Sequence, residues 1–129
     1  MKDETLLWIK YADENLASAK VLLTSSLYNP SLQNSQQAIE KYIKACFIEN
    51  GLKLQKTHNI SSLVEILKQN TYFLSISEDN IDLIDSIYLS SKYPFGSVLP
   101  DFEPDEKICN VCIDIADTIK LDISGILFK

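Results

Sequence analysis

Ser35-Gln36-Gln37-Ala38-Ile39-Glu40-Lys41-Tyr42-Ile43-Lys44-Ala45 is the stretch from which the fold of this chain can be read. At about 3.6 residues per turn, Leu32, Ile39, Ile43 and Phe47 fall on one side of a helix. Gln36 sits in the middle of that apolar side and Glu40 at its edge. A buried amide needs several hydrogen-bond partners, and an unpaired buried carboxylate is costly. Polar residues placed there imply a network, an interface or a site. The opposite side carries Ala38, Tyr42 and Ala45, small enough at two positions for another helix to approach closely.

Outward from this helix the same periodicity recurs. Trp8, Ala12, Leu16, Ala19 and Leu23 predict a first helix over residues 3–25, with Asp3 and Glu4 suited to the positive end of its dipole. Leu7, Tyr11 and Val21 lie off that stripe and invite a partner surface. Asn29 is the expected N-cap of the second helix, with Pro30 at its first position and Gly51 as its stop. Asn59 is the expected cap of a short third helix carrying Ile60, Leu63, Val64 and Leu67.

Residues 70–77 read either as an extended piece or as a turn packed on the bundle. A fourth helix is expected over residues 78–92, with Ser77 and Asn80 as a partial capping box and Ile81, Ile84, Ile87, Tyr88 and Ser91 on one side. Tyr93-Pro94-Phe95-Gly96 ends it. Pro104 is the expected start of a fifth helix, with Cys112, Ile115, Ile119 and Ile123 in its stripe. The prediction is one all-α domain over residues 1–129: an up-and-down antiparallel bundle of four long helices plus a short one.

Composition narrows the chemistry. Three glycines and four prolines leave little room for a β-sandwich or a phosphate-cradling glycine loop. The net charge is −6 and all twelve basic residues are lysines. Such a chain gains little from phosphate attraction and has no guanidinium fork, which disfavours autonomous nucleic-acid binding. Cys46, Cys109 and Cys112 are odd in number and sit in helical patterns, so reduced, packed thiols are expected rather than disulfides. Cys109-x-x-Cys112 has no second cysteine pair or nearby histidine, and neither a metal nor a cofactor is expected. The first residues lack a signal-peptide pattern and no apolar run approaches the ~18 residues of a membrane span, so a cytoplasmic protein is expected.

Trp8 and Ala12, then the run from Gln36 to Ala45, then Lys56-Thr57-His58-Asn59-Ile60, then Tyr88 and Lys92-Tyr93-Pro94, together resemble a HEPN domain over nearly the whole chain. The resemblance implies an up-and-down helical bundle, usually a homodimer. In prokaryotes it implies a protein often encoded beside, or fused to, a minimal nucleotidyltransferase, the pair acting as a toxin–antitoxin module. Some HEPN proteins are metal-independent endoribonucleases with an Arg-x(4–6)-His motif at the dimer interface. In this chain Lys92 corresponds to that arginine, and no histidine follows it. Lysine keeps the charge and loses the bidentate fork, and the missing histidine removes the acid–base group.

The candidate residues follow. His58, the only histidine, either packs as a structural imidazole or, with Lys92, replaces the missing catalytic pair. Gln36, Gln37 and Glu40 form either a polar network, with Glu40 meeting a lysine or His58, or a cleft in which Glu40, Lys41 and Lys92 face a nucleotide or a partner. Lys92 and Tyr93, beside Phe95 and Phe102, either receive a base and a phosphate or plug the bundle end. The expected role is a homodimeric, non-catalytic partner of a nucleotidyltransferase. A degenerate ribonuclease and a nucleotide-binding regulator are the alternatives.

Overall fold

Five helices follow in order in the computed structural model: α1 (Asp3–Thr24), α2 (Tyr28–Glu49), α3 (Ile60–Gln69), α4 (Glu78–Lys92) and α5 (Glu106–Leu127). The structure describes residues 1–92 and 103–128, with residues 89–92 by backbone alone. Tyr93, Pro94, Phe95, Phe102 and the side chains of Ser91 and Lys92 therefore lie outside the described residues.

Side-chain bonds fix the directions. The Ser31 hydroxyl donates to the Ala19 carbonyl at 2.8 Å, and the Thr5 hydroxyl to Glu49 at 2.9 Å, so α1 and α2 run antiparallel. Lys20 meets Asp117 and Asp13 meets Lys120, which sets α5 antiparallel to α1. The Cys109 thiol reaches the Tyr28 carbonyl, so α5 starts where α2 starts and runs with it. The long helices alternate as an up-and-down bundle, and α2 packs on each of the other four helices. Leu32, Ile39, Ile43 and Phe47, the side read from the sequence, are fully buried. They meet Ala12, Leu16 and Ala19 of α1, Leu63 and Leu67 of α3, Ile84 and Ile87 of α4, and Ile119 and Ile123 of α5 in one apolar cluster.

Two helix starts differ from expectation and a third gains an additional cap, each for a local cause. Ser26 takes a left-handed φ of 58°, turning the chain early enough that Tyr28 already opens α2 with Leu27 as cap residue. Asn29 is thus inside the helix rather than its cap, and Pro30 occupies the third position, where a missing N–H is still harmless. Asp105, not Pro104, begins α5: its carboxylate accepts from the Ile108 N–H at 2.8 Å. Asn59 caps α3 as read, accepting from Ser62 at 3.1 Å, but a second cap arrives from another helix. The Asp85 carboxylate accepts the Ile60 and Ser61 N–H groups at 2.7 and 3.2 Å.

The ends of α2 and α3 are closed by left-handed residues, Gly51 at φ 67° and Thr71 at φ 65°. Residues 70–77 form a non-helical connection that buries Leu74 and leaves Phe73 exposed. Asp122 of α5 pins it by accepting both the N–H and the hydroxyl of Ser75. Ser77 caps α4, accepting from Asn80 at 3.1 Å.

Candidate functional site

The polar break in α2 resolves into two clusters on different sides of the helix. On the side toward α3 and α4, Gln36, Glu40 and Lys44 succeed one another at four-residue spacing, so their side chains stack along one line. Glu40 and Lys44 are nearly inaccessible, at 8% and 6% exposure. Glu40 Oε1 accepts from Gln36 Nε2 at 3.3 Å and lies 2.8 Å from His58 Nδ1. Glu40 Oε2 accepts from Lys44 Nζ at 3.1 Å. Both carboxylate oxygens are thereby used, which is what a buried anion requires.

His58 precedes the α3 cap, and this connection brings its ring over α4. The imidazole stacks on Tyr88, with ring centroids 4.9 Å apart and planes inclined by 18°. An ionised carboxylate only accepts, so the contact with Glu40 has the imidazole donate from Nδ1 and turns Nε2 away from Glu40. The His58 side chain is 53% exposed and borders a groove of about 380 Å³. Lys56, Thr57, Asn59, Asp85 and Tyr88 complete its lining. Burial raises the Asp85 carboxyl above the usual carboxylate range, against the lowering effect of the two α3 amides it accepts.

Lys41 belongs elsewhere. Its Nζ donates to Asn15 Oδ1 at 2.6 Å on the α1 side, so Glu40 and Lys41 do not share a cleft. The reason is angular: adjacent residues on a helix point about 100° apart. Asn15 also donates to Asn34 at 2.9 Å. Next to this pair, the Tyr42 hydroxyl donates to Asp13 Oδ1, and Lys120 reaches the same oxygen at 3.0 Å. Burial, then the bond to the Asp13 carboxylate, pushes the Tyr42 phenol well above its ordinary range. Gln37 is half-buried between the two clusters on the helix wheel.

Of the residues singled out from sequence, the fold therefore unites Gln36, Glu40 and His58 and separates Lys41 from them. Position 92 lies one helical turn beyond position 88 on α4. Sequence reading missed Asp85, Tyr88 as the stacking partner of His58, and the Asp13–Tyr42–Lys120 group. A phenol on the close-packed side of α2 was the available signal, because a buried tyrosine hydroxyl needs a partner.

The three thiols are free and buried. Burial pushes Cys46 up to about 11 and Cys112 up to about 12, so neither is a nucleophile at neutral pH. Among the described residues, no group of three or more His, Cys, Asp or Glu side chains converges to hold a metal ion. Among them too, no helix is long and apolar enough to cross a membrane.

The family model for the HEPN domain matches residues 5–123. The chain belongs to the HEPN domain family. Its fold is similar to the crystal structure of ST0689, an archaeal HEPN homologue, with a TM-score of 0.72 over 98% of this chain and 99% of that one at 24% identity. TT1696 from Thermus thermophilus is similar with a TM-score of 0.68 over 96% and 98% of the two chains, at 21% identity. A protein of Methanocaldococcus jannaschii named "Putative toxin MJ1304" is 44% identical over 57 residues, which are 44% of this chain and 37% of that protein. The matched part is thus well under half of that relative. The HEPN fold here presents a buried carboxylate that orients a half-exposed imidazole at the mouth of a groove.

Proposed function

We propose that this HEPN chain is the homodimeric, non-catalytic partner of a nucleotidyltransferase, the two forming a cytoplasmic toxin–antitoxin-like module. One observation carries the reading: the only histidine is bound to Glu40 and stacked on Tyr88, in a sequence that has no arginine. The ribonuclease motif of the family needs an arginine followed closely by a histidine. Here Lys92 stands at the first position, nothing stands at the second, and His58 comes from the connection before α3. A lysine is a point charge and cannot grip a phosphate through two parallel bonds. Family membership, and the likeness of 57 residues to a protein named as a toxin, support the toxin–antitoxin setting.

The reading expects a nucleotidyltransferase encoded beside this chain, and the test is to express the two together. A dimer that co-purifies with that protein and leaves single-stranded and structured RNA intact is the expected result. A monodisperse monomer that ignores the neighbouring protein overturns the reading.

One observation favours a second reading. Glu40 holds His58 through Nδ1, and the imidazole borders a groove one turn from position 92. That is the arrangement of a general base whose orientation is set by a carboxylate. A ribonuclease using His58 as base and Lys92 as phosphate contact would lose RNA cleavage in both His58→Ala and Lys92→Ala. Cleavage that survives both changes removes this reading.

A further inference from the structure

α2 and α3 stop in the same way. Their cap residues are asparagines, Asn50 at φ −94° and ψ 9° and Asn70 at φ −101° and ψ 17°. A left-handed residue follows each, Gly51 or Thr71. The Leu52 N–H then reaches back to the Phe47 carbonyl at 2.9 Å, and the Tyr72 N–H to the Leu67 carbonyl at 2.8 Å. Each asparagine also donates its side-chain amide to the carbonyl four residues earlier, Cys46 at 2.8 Å and Ile66 at 2.9 Å. Two features set the first stop apart. The Tyr72 hydroxyl donates to Asn50 Oδ1 at 2.8 Å, tying the end of α2 to the connection after α3. The residue after Asn50 is a glycine, whose nitrogen no side chain shields.

Asn50-Gly51 is a reactive pair held in an unreactive shape. An unshielded amide nitrogen after asparagine attacks the side-chain carbonyl and closes a five-membered imide. Closure needs Gly51 N eclipsed with Asn50 Cβ across the Cα–C bond. At ψ 9° it is nearly eclipsed with the Asn50 nitrogen instead. The Gly51 N–H is also engaged, with the Ile48 carbonyl at 3.3 Å. Ring closure therefore has to undo the helix stop and swing the Asn50 amide away from Cys46 and Tyr72. The turn itself keeps the glycine in place. No atom lies within 4 Å of where a Cβ would stand, but any side chain is strained at φ 67°.

The geometry points to Asn50 as a self-modification site, converted to aspartate and isoaspartate when the last turn of α2 opens, with Tyr72 as the latch that keeps it shut. The Gly51 nitrogen gives its proton to hydroxide and bonds to Asn50 Cγ. The Cγ–Nδ2 bond breaks, and Nδ2 takes a proton from water and leaves as ammonia. Water then opens the imide. Cleavage at Cγ leaves aspartate, and cleavage at the backbone carbonyl leaves isoaspartate, with the main chain running through Cβ. Both products lose the amide donor that the Cys46 carbonyl accepts. Isoaspartate also lengthens the main chain where the connection that carries His58 begins.

The test holds the chain in mildly alkaline buffer, native and in guanidinium chloride, and follows the gain of one mass unit at Asn50 and Asn70 by peptide mapping. In denaturant Asn50 is expected to convert well ahead of Asn70, because a β-branched residue crowds the nitrogen that would attack Asn70. In the native protein Asn50 is expected to convert at least about tenfold more slowly than in denaturant. Tyr72→Phe keeps the ring and removes only the hydroxyl. It is expected to speed native conversion about fivefold, with hydrogen exchange of the Leu52 amide rising by the same factor. Amides in the middle of α5 report whether the bundle of the variant is intact. Conversion of Asn50 no faster than that of Asn70 in denaturant overturns the site. A native rate equal to the denatured one overturns the gate. Both of these are read on wild type alone. A folded Tyr72→Phe that changes neither conversion nor Leu52 exchange overturns the latch.

Discussion

The Glu40 cluster and the Asp13 cluster both hang on α2, through Glu40 and Tyr42 on different sides of the helix, and they solve opposite problems. Glu40 and Lys44 are ions taken out of water, and every oxygen of the carboxylate is matched to a donor. Asp13 and Lys120 are nearly half exposed, and the buried member of their group is the neutral phenol of Tyr42. In the first, breaking the pair strands a charge. In the second, solvent can replace what is lost. The difference shows that the polar residues of α2 are not equivalent intrusions: one group is committed to the interior, and the other ties three helices together at the surface.

That contrast has consequences of graded size. Glu40→Ala leaves Lys44 buried without its anion, and loss of about 3 kcal/mol in urea-induced unfolding is expected. Comparable stability in Glu40→Ala would show that water reaches Lys44 and would erase the distinction. Tyr42→Phe removes a charge-assisted bond to a half-exposed acceptor and is expected to cost about 1.5 kcal/mol by the same measurement. Lys120→Ala, which breaks an exposed ion pair, should change stability by less than about 0.5 kcal/mol.

Alkali separates the clusters in another way. The folded state holds the Tyr42 phenol protonated above its ordinary 10.0, so that contribution is complete below pH 10 and is lost as pH rises beyond it. Cys46 and Cys112, raised from 9.0 to about 11 and about 12, begin the same loss from pH 9. Thermal unfolding of wild type should therefore fall from pH 9 and steepen above pH 10. Tyr42→Phe should keep the first part and lose the second. An unchanged profile in that variant would place the alkaline sensitivity in the thiols alone.

The bundle was legible in the sequence because apolar residues recur at three- and four-residue spacing, and burial follows that pattern at Leu32, Ile39, Ile43 and Phe47 without exception. That Glu40 needs a partner, a lysine or His58, was also legible, since a carboxylate on an apolar edge needs a donor; the structure gives it both Lys44 and His58. Lys41 was misplaced because proximity in sequence suggested a shared cleft, although the helix turns it toward Asn15. Asp13, Asp85 and Lys120 carry no signal of their own in the sequence. Their partners lie far along the chain, at distances that periodicity within one helix does not encode.

Asp85 carries a consequence for how the molecule comes apart. Ten residues are too few for an isolated helix to persist, and the opening amides of α3 are held by a carboxylate on α4. The two helices should therefore open as one cooperative unit, with the Ile60 and Ser61 amides exchanging their hydrogens only when α4 lets go. A ligand that pulls on α4 would then loosen the first turn of α3 and, with it, the floor beneath His58.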